Sequence, residues 1–428
     1  MATDVEVQYF SHLNGLTLGN NWGDLIRLLD KALVTGIDFT QITAASIDAQ
    51  GDVHITLYSA HNSMLLQIVE LTGFSPSSLN QKYRIKGVPN TTQLILKPAL
   101  DIAERSITTI GAGKLASLGY EIIFRDTGDV KRVYRAKNPT VQHPFIRVDE
   151  SLTSPDGTTG VYTSTYAKSA MVGLLENMTN IDDYQNPNVL QLPFDPSDPA
   201  KNWKITGSGT SVVRGWSRWY WGRNANANNN STDSSSPVVG NRQFTLVGNK
   251  DLFYFLRNIR GDANDNFKIL AGCGVYQSAI DDTVIPPWFL MTTLDDRNAS
   301  TGFGMHNTAA GSPLMVDINI SKFLCPTFNL TTRLSKHVLA NAVAPDYNSG
   351  YSDIYSSTPV AALELPLSDA DKRLRGNLDV VCYSGKRHGH TLTTPIVSEN
   401  SMYVYDCAMA GTSSGLIGGF CFYMGELE

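Results

Sequence analysis

Four aromatic residues within six positions, Trp216, Trp219, Tyr220 and Trp221, form the densest site-like cluster in this sequence. Indole and phenol faces can stack on sugar rings, so a surface glycan is one ligand they could take. Along a strand, alternation sends Trp219 and Trp221 to one face and Tyr220 to the other, a pattern that favours core or interface packing. The remaining candidates fit their chemistry less well. Gly111-Ala112-Gly113-Lys114-Leu115-Ala116 has the form of the G-x-G-x-x-G/A dinucleotide fingerprint. That chemistry needs a helix whose N-terminus faces the pyrophosphate, and Gly119 with a strand-like start at Tyr120 leaves no room for one. Gly411-Thr412-Ser413-Ser414-Gly415 matches a nucleophile elbow, but no histidine lies beyond His390 to complete the triad in that order. A Gly/Ser turn between strands is expected there.

His388-Gly389-His390 would place two imidazoles on one face of an extended segment. Zinc needs more ligands, which Cys382, Cys407 or symmetry copies would have to supply; exposed loop histidines are the plainer expectation. The doublets Asp182-Asp183, Asp281-Asp282 and Asp295-Asp296 do not make a facing acid/base pair, because adjacent residues on a strand point to opposite faces. No catalytic residue, cofactor or metal is therefore expected.

The element with the clearest punctuation is a helix over 21–35. Asn20 or Asn21 can cap its first turn, and Asp24 suits the positive end of the dipole. Leu25, Ile26, Leu28, Leu29, Ala32 and Leu33 follow helical spacing, and Gly36 can end the helix in a left-handed conformation. Short β-like runs then alternate with turn chemistry through residue 149. Asp126-Thr127-Gly128-Asp129 reads as a hairpin turn, and Phe145-Ile146-Arg147-Val148-Asp149 as a closing strand. Residues 1–150 are thus expected to form a compact β domain with the helix packed on it. From 151 to 205 the spacing of Ala170, Met171, Leu174, Leu175 and Met178 predicts a helix over 166–178, followed by a proline-rich connector. Residues 206–428 read as a C-terminal β-rich domain with an Asn/Ser loop at 224–236 and a hairpin turning at Asn249-Lys250-Asp251. The expected fold class is mainly β with few helices (α+β), built as several sandwich- or barrel-like modules. No internal repeat occurs, which excludes solenoids and propellers.

Composition narrows the function. The chain has 428 residues and a formal net charge of −6, with no dense Lys/Arg block, so a dedicated nucleic-acid binder is not expected. Charged residues make up only 17%, and a lightly charged polar surface suits large, permanent contacts. Five cysteines, an odd number without C-x-x-C spacing, indicate buried reduced thiols rather than a disulfide frame or a zinc ribbon. No basic-then-apolar leader opens the sequence and no apolar run approaches about 18 residues, so synthesis in a cytoplasm without membrane insertion is expected.

Four segments resemble, in the same order, motifs of a group of tailed-bacteriophage virion proteins. Gly19 through Gly36 is similar to that group's G-x-x-x-x-L-I-x-L-L-D-x-x-L-V-x-G helix. Phe145-Ile146-Arg147-Val148-Asp149-Glu150 resembles its F/L-R-V-D-D/E strand, and Ala170 through Met178-Thr179-Asn180-Ile181-Asp182 its A-x-x-x-x-x-x-x-M-T-x-I/V-D segment. Phe244 through Phe255 resembles its W-x-L-V-G-D/N-x-x-x-F-Y-L hairpin, with Phe244 where the group has Trp. The resemblance spans 19–256 and implies a structural part of the particle, at the tail, baseplate or neck collar, with head decoration as an alternative. It transfers no catalytic residue. The implied partners are other virion proteins and copies of the chain itself, and the implied location is the virion. A receptor- or glycan-binding module of the tail, built on Trp216, Trp219, Tyr220 and Trp221, is the second expectation.

Overall fold

The computed structural model describes residues 3–157, 160–223, 234–258, 268–280, 283, 285–294, 297–298, 302–303, 323–327, 331, 333–342, 363–369, 371–384, 392–410 and 417–427. The chain is mainly β, with 46% of residues in strands and 8% helical, as the alternating runs predict.

Three antiparallel sheets carry the fold. The first has seven strands in the order Ile37–Asp38, Ala112–Leu115, Ile68–Thr72, Lys82–Asn90, Gln93–Pro98, Val53–Leu57, Ile42–Ile47. The second runs Gln191–Leu192, Lys168–Leu175, Phe145–Asp149, Lys131–Ala136, Tyr120–Arg125, and Arg218–Gly222 also pairs with Lys168–Leu175. The third, of thirteen strands, begins Gln8–Ser11, Phe244–Gly248, Leu252–Asn258, Lys268–Val275 and ends Ile417–Glu426, Ser401–Ala410, Thr394–Ser398.

Both expected hairpins form. Asp126 accepts the amide hydrogens of Val130 (3.0 Å) and Lys131 (2.7 Å) at the first turn, and Asn249 accepts those of Asp251 and Leu252 at the second. Strand Leu252–Asn258 is buried on both faces. Phe253 and Phe255 join Ile55, Leu71, Ile146 and Val172 in a core cluster shared by all three sheets. Leu252, Tyr254 and Leu256 pack on the other side with Phe289 and Phe422.

Sheets take strands from both sides of positions 150 and 205. The second sheet takes strands from 120–149 and from 168–222, so the boundary at 150 runs through it. Strand Gln8–Ser11 belongs to the third sheet, where it pairs with Phe244–Gly248. Fully buried Arg84 donates to the carbonyls of Asp4, Val7, Leu66 and Met424, tying the first sheet to both ends of the chain.

Three element assignments are corrected. Residues 166–178 hold a strand, Lys168–Leu175, not a helix. All eight of its residues are buried, so neighbours on both faces override the helical preference of Ala, Met and Leu. Phe145–Asp149 is an interior strand of the second sheet rather than a closing one. The helix is α-helical only over Asp24–Leu29 and widens into a π-turn over Asp30–Thr35. The change begins at Asp30, whose carboxylate is held by Tyr134 Oη at 2.7 Å and by Arg125 and Arg132, each at 3.2 Å. Gly36 closes the element at φ +72, where a Cβ would lie 2.1 Å from the Leu115 carbonyl oxygen. The proline-rich stretch contains the short strand Gln191–Leu192 and the 3-10 turn Pro199–Trp203. Residues 224–233 of the Asn/Ser loop lie outside the described residues.

Candidate functional site

The expected asparagine cap is absent from the helix. Gly23, at φ +85, occupies the cap position and its residue has no side chain to offer. Glu150 supplies the missing acceptors from the end of the second sheet. One of its oxygens takes the Ile26 amide hydrogen at 2.9 Å and the other takes that of Gly23. Asn20 instead accepts from Arg242, and Asp24 accepts from the Asn21 amide. Burial pushes the Glu150 carboxyl up to about 7, against the pull of the two amides and of Arg214.

Next to Glu150, Arg147 and Asp149 form a wholly buried ion pair at 2.9 Å. The same guanidinium donates to Asp182 (2.7 Å) and to the Ile181 carbonyl (2.7 Å), and lies over the rings of Trp203 (4.3 Å) and Tyr184 (4.8 Å). Burial would raise the Asp149 carboxyl, but Arg147 and the Ser151 hydroxyl hold it below the usual carboxylate range. Arg214 donates to the carbonyls of Asp149 and Ser151 and stacks over Trp22 at 5.0 Å. The carboxylates and most guanidinium nitrogens of this cluster find partners within it, which braces the elements against one another, while Arg214 Nε and Trp203 Nε1 are buried without a hydrogen-bond partner among the described residues.

The aromatic cluster divides as alternation requires. Trp219 and Trp221 enter the shared core and Tyr220 packs on the opposite face. All three are fully buried, so they cannot serve as a glycan platform in this fold. The Trp219 indole N–H donates to the Met291 carbonyl at 2.9 Å, and its ring meets Phe253 edge-on at 5.7 Å. Trp216 alone is half-buried, with Lys201 Nζ 4.3 Å from its ring centre and the His337 ring at 5.6 Å.

His143 and Asp251 form a pair that sequence spacing does not reveal, 2.6 Å apart on the wall of a cavity of about 260 Å³. The His143 Nδ1 accepts the Thr140 amide hydrogen at 2.8 Å, so Nε2 carries the proton given to Asp251. Neither nitrogen is left to act as a base. Lys268 and Asp406, both fully buried, meet at 2.5 Å, with the Thr245 hydroxyl donating to the second Asp406 oxygen at 2.7 Å.

The other sequence candidates come apart. Ala112–Leu115 is a strand of the first sheet, and a Cβ on Gly111 would lie 2.0 Å from the Thr72 carbonyl oxygen. Those glycines serve close packing, not a phosphate. Asp182 binds Arg147 and Lys131, whereas Asp183 accepts from Thr179, so the doublet faces two ways. Asp281-Asp282, Asp295-Asp296, His388-Gly389-His390 and Gly411 to Gly415 lie outside the described residues. Among the described residues, no group of three or more His, Cys, Asp or Glu side chains is placed to hold a metal ion. No described helix is long and apolar enough to cross a membrane. No family model matches the chain, and no curated protein matches its sequence.

Proposed function

We propose that this chain is a non-enzymatic structural component of a tailed-phage virion, assembled by repeated contacts with copies of itself and with other virion proteins. Its place is the tail, at the baseplate or the neck collar. The observation that carries this reading is the mutual contact of the four segments that resemble virion proteins. The first segment's helix is capped by Glu150 of the second, whose Arg147 binds Asp182 of the third. The fourth joins their core through Phe253 and Phe255. Segments that brace one another suit a part under mechanical load, and side chains satisfied in this way are not free to turn over a substrate.

The outer strand of the first sheet suits assembly. Ile42–Ile47 (ITAASI) sits at an edge and carries no charge and no proline, two of the features that natural sheets use to blunt such edges, and its pairing with Val53–Leu57 is regular from Ala44 onward after a register shift between Ile42 and Ala44. A neighbouring chain can pair with it.

Immunogold labelling of intact virions of the encoding phage, with antibody raised against the purified chain, tests the proposal. Gold at one end of the tail is the expected image. Unlabelled particles, or gold spread over the head, would overturn the placement; turnover of a small substrate by the purified chain would overturn the structural role.

A further inference from the structure

Strands Leu363–Asp369 and Leu374–Ser384 lose their regular pairing in the third sheet. Leu365 pairs with Leu378 and Leu363 with Tyr383, so the first strand advances two residues while the second advances five. The surplus bows out as a bulge, a device that in sheets re-aims side chains next to binding sites. Val380, within the bow, has φ +68. A β-branched residue there is strained, and such strain persists only where the surroundings impose it. Here they do. The Asp379 carboxylate accepts the Val380 amide hydrogen at 2.8 Å, and the Asp379 carbonyl accepts the Tyr254 hydroxyl at 2.9 Å.

The bow walls a cavity of about 310 Å³. Tyr403 and Tyr423, from neighbouring strands, line it with ring centres 5.6 Å apart. Tyr423 is fixed by donating its hydroxyl to Glu426 at 2.5 Å. Carboxylates come from Glu364 and Asp379, and carboxamides from Gln277 and Asn377. Both carboxylates lie close enough to Cys382 to add to the effect of burial, which pushes that thiol up to about 12. Among the described residues, no lysine or arginine lines the cavity.

We propose that this cleft binds a neutral saccharide. The phenol faces of Tyr403 and Tyr423 offer the apolar surface on which the C–H face of a pyranose packs. Glu364 and Asp379 accept hydroxyl hydrogens, and the amides of Gln277 and Asn377 can donate or accept. The same two carboxylates repel uronic and sialic acids, and no lysine or arginine among the described lining residues offsets them. The lining is about as polar as it is apolar, a mixture that suits a ligand presenting hydroxyls on one side and C–H groups on the other. The proposal goes beyond the assembly role and uses residues remote in sequence from the buried tryptophan cluster.

The test is a glycan array followed by titration calorimetry on the purified full-length chain, with neutral, amino and uronic oligosaccharides in parallel. Neutral sugars are expected to bind. Tyr403→Ala should weaken binding about tenfold or more, the loss of one stacked ring, while Tyr403→Phe, which keeps the ring, should lose much less and Trp216→Ala should leave binding unchanged. The exposed Glu364→Gln is expected to weaken neutral-sugar binding and keeps the test valid if Tyr403→Ala fails to fold. Absence of neutral-sugar binding, a preference for uronic sugars, or binding indifferent to both Tyr403→Ala and Glu364→Gln would overturn the proposal, while added affinity for cationic amino sugars would support the acidic lining. The assay uses the isolated chain, so its failure leaves the virion placement standing.

Discussion

Glu150 accepts the amide hydrogen of Ile26 at 2.9 Å although 124 residues separate the two in the chain. A helix of six α-helical residues followed by a π-turn is too short to persist alone, and its first turn leaves donors that need acceptors. A local cap would satisfy them at any stage of folding. Glu150 does so only once the second sheet has formed, which couples the helix to the sheet it packs against.

Removal of that acceptor should be costly. Glu150→Ala leaves the amides of Gly23 and Ile26 without their acceptor inside the protein, at about 1–3 kcal/mol for each donor. A total loss of about 2–6 kcal/mol, read from urea denaturation, is expected. A loss below about 0.5 kcal/mol, the range of ordinary surface substitutions, would mean that water satisfies the helix end.

The same carboxyl should leave a mark on the pH dependence. Its folded value, raised to about 7, lies above its ordinary value of 4.5. The protonated form is thus the one that the fold favours. The stability that this preference contributes is fully present below about pH 4.5 and is lost as pH rises through about 7, an effect on the order of 3 kcal/mol. Denaturation midpoints measured across that window should fall in the wild type and flatten in Glu150→Gln. Parallel curves would show that Glu150 does not titrate there.

What the sequence made legible was local. The helix near residue 24 shows itself because Arg27 and Lys31 mark a single exposed stripe at helical spacing among buried residues, and the hairpins at 126–129 and 249–251 because Asp, Asn and Gly write the turns. Lys168–Leu175 was misread because burial on both faces erases the period that separates strand from helix. Alternation placed Trp219, Tyr220 and Trp221 on their correct faces but could not show that both faces are covered. Glu150 as a cap, and the meeting of Tyr403 with Tyr423, depend on contacts between distant strands that no local pattern records.

Burial of the tryptophans separates packing from recognition. Trp219→Ala removes a fully buried indole and should cost about 3–5 kcal/mol. Trp216→Ala, at a half-buried site, should cost less. Urea denaturation of the two variants checks the order, and equal costs would contradict the packing described for Trp219.

Arg147 is a site where lysine cannot substitute. Its guanidinium serves Asp149, Asp182 and the Ile181 carbonyl at once while its Cζ lies over the Trp203 and Tyr184 rings. An ammonium has neither the fork nor the plane. Arg147→Lys should therefore lose nearly as much as Arg147→Met, about 3–5 kcal/mol, because both leave Asp149 poorly paired in the interior. Near-complete retention of stability in Arg147→Lys would show that charge alone suffices.

Lys268 and Asp406 pose the converse question, whether a buried ion pair stabilises the fold at all. Both side chains are fully buried and 2.5 Å apart, on strands that belong to the same large sheet. Desolvation of two charges can cancel their attraction, but removal of one partner strands the other. Lys268→Met should then cost about 3–5 kcal/mol, since the Thr245 hydroxyl alone cannot neutralise the Asp406 carboxylate. The double variant Lys268→Met with Asp406→Leu should recover most of that loss. The Thr245, Thr393 and Ser11 hydroxyls still bond one another when both charges are gone. A double-mutant cycle measures the coupling. Additive losses from the two substitutions would mean that the groups do not depend on each other, and the pair would have no place in the argument for a self-bracing fold.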